Sequence, residues 1–391
     1  MRRLILLLLS AALAWLVAAR SRLPEPAAAE AMAAVAWDSG AYNVLDWDLT
    51  GPPETAGSAY TAEMYRYFTS CVPTAKHSYT GRLNGKNLLL VLADNWKVNG
   101  VNGAQTPALY RLWSEGVRFG EVYAPDWYQG RDGREFALLT GLTPTTVQNR
   151  ASMSLLAGRD IYLPFALGQG LGDAGYVCRV YSDAPGREAS YAALGFSDAV
   201  SGAPPADDLA ALAEEGPFFA YVVLEDADAE AALEELLRTL EDAGLAGDTA
   251  VCVAAGSAQP LRGALFLWGP GLAGVCVDAP CSELDVTPTL LDLFGAEYDA
   301  RFLSGRDVLA DGTGEGPPRL VSLYGSAYSD WVTDAGSYIA AEDAFFPLEG
   351  RFSAAQEEAR YVSKIRLLVY DRYVFSRRIL ESNYFRMISG R

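Results

Sequence analysis

Leu88-Leu89-Leu90-Val91-Leu92 is an apolar run with no polar alternation, entered from Asn87 and closed by Ala93-Asp94. A strand with one wet face alternates apolar and polar residues, and one buried on both faces does not. The run therefore demands cover on two sides. Similar runs recur at Phe218–Leu224 and Thr249–Ala254, with further strand candidates at Val117–Tyr123, Tyr176–Tyr181 and Ala264–Trp268. Helical patterns lie between them: Thr106-Pro107 through Trp113, stopped by Gly116, then Glu135–Leu139, Leu163–Ala174, Ala229–Ala243 and Thr287–Leu293. Strands alternating with helices predict an α/β fold, a doubly wound and mainly parallel sheet. In such sheets ligands sit beyond the carboxyl ends of the strands. Three places follow: Asp94, the segment after Leu224, and Gly256-Ser257-Ala258.

The flanks differ from this core. Arg2-Arg3 precede an apolar run from Leu4 to Ala19, and Arg20 and Arg22 close it. A basic start before an apolar stretch reads as an export segment. It is short for a spanning helix of ~20 residues and long for a cleaved signal, so anchor and signal both stand for residues 1–23. Residues 24–84 read as a linker with short helices, including one over Tyr60–Phe68. The α/β core is expected over 85–300. A small C-terminal α+β subdomain is expected over 301–391, with short strands at Leu320–Tyr324, Trp331–Thr333 and Tyr338–Ala341 and a closing helix from Ser353. Its Arg372, Tyr373, Phe375, Arg377 and Arg378 read as a packed tail with solvated arginines, against a membrane-surface contact as the alternative.

Composition removes several functions. The chain has one histidine, His77, in 391 residues. Serine-histidine hydrolysis and histidine-rich zinc sites both need imidazoles in set places, and His77 reads as an exposed loop residue. A net charge of −18 opposes nucleic-acid binding, which needs basic stripes. Of the five cysteines, Cys276 and Cys281 flank a short loop that a disulfide would close, which export permits. Cys252 reads as a buried apolar residue.

Four patterns in order then resemble the alkaline-phosphatase/sulfatase superfamily. They are Asn87 to Asp94; Thr106-Pro107-Ala108-Leu109 through Glu115-Gly116-Val117-Arg118-Phe119; Leu163-Pro164 through Gly175-Tyr176; and Asp285-Val286-Thr287-Pro288-Thr289-Leu290-Leu291-Asp292-Leu293-Phe294-Gly295. The lipoteichoic acid synthase group is the most similar branch. Gln129-Gly130-Arg131-Asp132-Gly133-Arg134-Glu135-Phe136 resembles its G-[KR]-T-S-D-x-E-F segment. Ala184-Pro185-Gly186-Arg187 with Tyr191 and Leu194-Gly195-Phe196 resembles its F-W-N-R-x-x-x-Y-x-x-x-G-F stretch. Arg378 to Arg386 resembles its closing segment. The resemblance spans about residues 85–390 and implies outward-facing, membrane-anchored enzymes. They transfer glycerol phosphate through a metal-activated threonine.

Carried over residue by residue, the resemblance places Asp94 at a metal-ligand slot, one methylene shorter than the usual glutamate. Asp132 is nearest to the nucleophile slot, where Arg131-Asp132-Gly133 holds no serine or threonine. Arg187 and Arg131 fall at substrate-binding positions. The expected Asp-His pair reads Gly256-Ser257-Ala258, and the expected histidine after Leu224 reads Glu225-Asp226-Ala227-Asp228. The implied function is an exported, membrane-tethered binding or accessory protein of the cell envelope, facing outward. Its expected partner is an anionic glycolipid or polymer, and no cofactor is expected. The alternative is an active phosphotransferase or ester hydrolase, its site rebuilt from Asp94, Asp132, Asp226 and Asp228. It would hold Mn, Mg or Ca, since oxygen-only ligands suit hard cations.

Overall fold

The computed structural model describes residues 37–45, 47, 59–148, 150–225, 229–310 and 316–389. The export segment lies outside them. Among the described residues no helix is long and apolar enough to cross a membrane.

Six strands form the central sheet: β1 (Asn87–Val98), β2 (Val177–Tyr181), β3 (Asp198–Val200), β4 (Phe218–Leu224), β5 (Thr249–Ser257) and β6 (Gly263–Trp268). Their order is β6-β5-β1-β4-β2-β3. All neighbours are parallel except β6, which runs antiparallel to β5. The longest apolar run is central, as double burial requires. Odd and even residues of β1 enter different cores. Leu89 and Val91 pack on one face, and Leu88, Leu90 and Leu92 pack on the opposite face.

Among the described residues, the helices of seven or more residues are α1 (Ala59–Ser70), α2 (Pro107–Glu115), α3 (Arg131–Thr140), α4 (Leu167–Asp173), α5 (Ala206–Glu215), α6 (Ala229–Asp242), α7 (Val286–Leu293) and α8 (Ala355–Ser382). On the Leu89 face, α2, α5 and α6 bring Leu109, Leu209 and Leu233. On the Leu88 face, α3, α4 and α7 bring Phe136, Leu171 and Leu290, joined by Phe375 and Ile379 of α8. Burying a side chain such as Leu290 contributes about 1.5–3 kcal/mol.

β1 pairs regularly with β5 up to Ala93–Ala255, then resumes at Lys97–Gly256. This bulge places Asp94 just past the regular ladder, at the edge where ligands bind in such folds. The C-terminal part adds an antiparallel sheet, β7 (Leu320–Ser322), β8 (Trp331–Thr333), β9 (Gly336–Ile339) and β10 (Ala344–Pro347), covered by α8.

Several sequence expectations change. Val117–Tyr123 is not a strand of the central sheet. It supplies two short pieces that pair with Cys276–Val277 and Cys281–Ser282. Cys276 is exposed and Cys281 is buried, and no disulfide joins them. Cys252 is 2% exposed, as its apolar neighbours dictate. Arg372 is buried rather than solvated and donates to the Leu320 carbonyl at 3.2 Å.

Candidate functional site

The helix α3 begins at Gly130, whose φ of +55° is in the region that favours glycine. Residues 132, 135, 136 and 139 share one helical face. That face turns Phe136 and Leu139 into the core and carries Asp132 and Glu135 with them. Glu135 is fully buried. A carboxylate there needs compensation, because transferring an unpaired charge out of water costs several kcal/mol.

Compensation comes from four side chains. Tyr191 and Tyr221 donate to Glu135 Oε1 at 2.8 and 3.2 Å. Arg187 donates one Nη to Glu135 Oε2 and the other to Asp132 Oδ1. Arg131 Nε lies 3.7 Å from Glu135 Oε2. Arg131 also donates to Glu225, the residue after β4, and to Ser182 Oγ, after β2, at 3.0 Å. Burial pushes the Glu135 carboxyl up, opposed by Arg187 and Arg131. Both guanidiniums are held charged: burial opposes this, and Glu135, joined by Glu225 at Arg131 and by Asp132 at Arg187, together outweighs it. A second pair stands beside the first, Arg134 Nε on Glu283 at 2.9 Å.

The structure thus brings together three of the sequence candidates, Arg131, Asp132 and Arg187. The side chain of Asp94, and all of Asp226 and Asp228, lie outside the described residues. Ser257 ends β5 and accepts the Gln259 amide at 3.3 Å. Sequence reading missed Glu135, Tyr221 and Glu225 as members of the cluster. The signal was present: Arg131 and Glu135 are spaced i, i+4, and Glu135 falls on the apolar stripe of α3.

The sequence resemblance implies a divalent metal here, which would need free oxygen donors. Asp132, Glu135 and Glu225 converge from α3 and β4, but each faces a guanidinium. Hard divalent ions want six to eight free oxygens, or an octahedron including water. Among the described residues, this donor set fits guanidinium groups and does not fit a divalent ion.

A second cluster overturns one expectation. His77 is not an exposed loop residue, since its side chain is 3% exposed. Its Nε2 lies 2.6 Å from Asp307 Oδ2 and 3.1 Å from Asp292 Oδ2. The cause is local: the Leu83 amide bonds to the Leu293 carbonyl at 2.8 Å and holds residues 77–84 against α7. Three such groups within 4.8 Å have metal-ligand chemistry. The protons, assigned from contacts, argue otherwise. The Tyr79 amide nitrogen lies 3.3 Å from Nδ1, and Nε2 carries a proton and donates to Asp307. Asp292 already accepts from Asn43 at 2.7 Å and from Thr80 at 2.9 Å. Burial opposes a charged imidazole, but hydrogen bonds to Asp292 and Asp307 push its pKa up to about 10. The cluster is an ionic clamp between the N-terminal segment and the core.

With this geometry in place, comparisons define the fold. The lipoteichoic acid synthase LtaP from Listeria monocytogenes superposes with a TM-score of 0.58 at 16% identity, over 80% of this chain and 96% of its own. An alkaline phosphatase superfamily protein from Vibrio parahaemolyticus gives 0.57 at 17% identity, over 80% and 91%. BT1596, a 2-O GAG sulfatase, gives 0.51 at 13%, over 76% and 94%. The fold is that of the alkaline-phosphatase/sulfatase superfamily, with LtaP-like similarity. No family model matches the chain, and no curated protein does.

Proposed function

We propose that this chain is an exported, membrane-tethered protein of the sulfatase-like fold that serves a non-catalytic binding or accessory role at the outer face of the cell envelope. One observation carries the reading: the first turn of α3 offers Arg131-Asp132-Gly133, and its acids are engaged by guanidiniums. Fold does not imply function, so the site decides. A nucleophile of this chemistry needs a cation to lower its pKa and neutralise phosphate charge. Here the cations are side chains that cannot bind a substrate oxygen without leaving Glu135 buried and uncompensated. An anionic glycolipid or polymer would have to displace Asp132 and Glu225 from Arg187 and Arg131.

The test is turnover by the purified protein with 4-nitrophenyl phosphate, 4-nitrophenyl sulfate and phosphatidylglycerol, each with Mn, Mg or Ca. The expected result is no rate above background. Metal-dependent turnover abolished by Asp94→Ala would establish instead the rebuilt carboxylate enzyme. Fractionation of the full chain against a chain lacking residues 1–23 tests the tether.

A further inference from the structure

Just upstream of α3 the chain reads Tyr123-Ala124-Pro125-Asp126-Trp127-Tyr128-Gln129-Gly130, and the loop between β7 and β8 reads Leu323-Tyr324-Gly325-Ser326-Ala327-Tyr328-Ser329-Asp330. Each holds an aspartate and neither holds a basic residue. Backbone bonds join them: the Asp126 amide donates to the Leu323 carbonyl at 2.9 Å, and the Gly325 amide to the Asp126 carbonyl at 3.0 Å. The C-terminal subdomain is thereby fixed to the entrance of the α3 site.

At this seam Tyr128 stacks on Tyr324, with centroids 6.0 Å apart and planes 16° apart. Tyr128 is 68% exposed, so a ring face is left to solvent. Its φ of +56° is uncommon for an aromatic residue. The Tyr128 amide is held by Asp126 Oδ1 at 3.0 Å. Asp330 Oδ1 accepts the Ala340 amide at 2.8 Å. Nearby Tyr123 has a guanidinium over its ring, Arg262 at 4.2 Å. Among the described residues, no guanidinium lies over Tyr128 or Tyr324.

We propose that the Tyr128–Tyr324 stack, flanked by Asp126 and Asp330, is a recognition site for a small organic ammonium ion of the choline type. Aromatic faces attract such ions through the ring quadrupole, and quaternary ammonium is the group they favour. The carboxylates add charge complementarity, and the chain's overall charge of −18 draws cations to the surface. Proximity of the acids also shows in Tyr324, whose phenol is pushed up by burial and by Asp330 and Asp126. The proposal rests on this geometry alone and is independent of whether the α3 site turns over.

Isothermal titration of the full chain with choline chloride, at fixed ionic strength, tests it against 3,3-dimethylbutan-1-ol, the uncharged carbon analogue. Saturable binding of choline without binding of the alcohol is expected. Tyr128→Ala, Tyr324→Ala and Asp330→Asn should each weaken it by about fivefold, in keeping with an exposed cation–π contact. Tyr128→Phe keeps the ring face and should bind as the parent does, which separates recognition from misfolding. Equal binding of choline and the alcohol, no saturable choline binding, or choline affinity unchanged in folded Tyr128→Ala and Tyr324→Ala would each overturn the proposal.

Discussion

Arg187, the residue that opens the short helix Glu188–Ala193, forms a two-pronged ion pair with buried Glu135 and part-exposed Asp132 of α3. A guanidinium binds carboxylates through a fixed fork of donors. Removing one side of a buried pair strands the other. We predict that Arg187→Met costs about 3–5 kcal/mol by urea denaturation. The double variant Arg187→Met/Glu135→Leu should cost less than that single change, because no buried charge is left over. A double-variant cost equal to the sum of the Arg187→Met and Glu135→Leu costs would show that the pair is not coupled.

Divalent ions should not stabilise the protein. A ligand that binds only the native state raises the melting temperature by mass action. Thermal scans with EDTA, and with millimolar Mn, Mg or Ca at constant ionic strength, should coincide. A rise with one metal, lost in Asp132→Asn, would contradict the assignment of the acids to guanidiniums.

Asp371 on α8 sits beside Glu63 of α1, which is paired with Arg378 at 2.7 Å. Burial first, and then Glu63, push the Asp371 carboxyl up to about 7, opposed by Arg378. The folded chain therefore holds this proton more tightly than the unfolded chain. The associated stability is fully present below about pH 4 and is lost as pH rises through about 7. Asp371→Asn should flatten that part of the pH–stability curve and exceed the parent at pH 8, as read by denaturant midpoints.

His77 has the opposite chemistry and the same sign. Its raised pKa of about 10 favours the protonated form when folded. That stability is complete below about pH 6.5 and declines as pH climbs through about 10. His77→Leu should remove the alkaline slope. It also leaves Asp292 and Asp307 without their shared donor, at a cost of about 3–5 kcal/mol. Retention of the parent's alkaline slope in the variant would assign it elsewhere.

Gly195 has a φ of +94°, and a Cβ there would lie 2.4 Å from the Gln169 backbone nitrogen. Backbone and packing both exclude a methyl group. Gly195→Ala should destabilise by about 3 kcal/mol or more, measured by chemical denaturation.

Much of the fold was legible because its signals are local. Phe218–Leu224 carries no charged residue and is a strand over that same span. Trp331–Thr333 likewise holds its expected bounds. Asp198–Val200 was not legible, because three residues of mixed polarity at a sheet edge have no period to read. Val117–Tyr123 misled for the converse reason: its β-formers pair with short segments more than 150 residues on, and no local pattern encodes such a partner. At the site, Arg131, Asp132 and Arg187 came from motif positions. Glu135 could have been read from its spacing to Arg131, but the convergence of Tyr221 and Glu225 on these residues was not readable, since it depends on how α3 and β4 meet. His77 failed most plainly. A polar residue in a Thr-Ala-Lys-His-Ser setting looks solvated, and only the distant Asp292 and Asp307 make its burial tolerable.

That single histidine has a practical consequence. With one imidazole in the whole chain, proton spectra contain one set of histidine ring signals, and no assignment is needed. A far-downfield Nε2 proton, slow to exchange with solvent, would report that the junction is closed. Its disappearance during heating or dilution into denaturant would time the release of the N-terminal segment, residue by residue silent everywhere else.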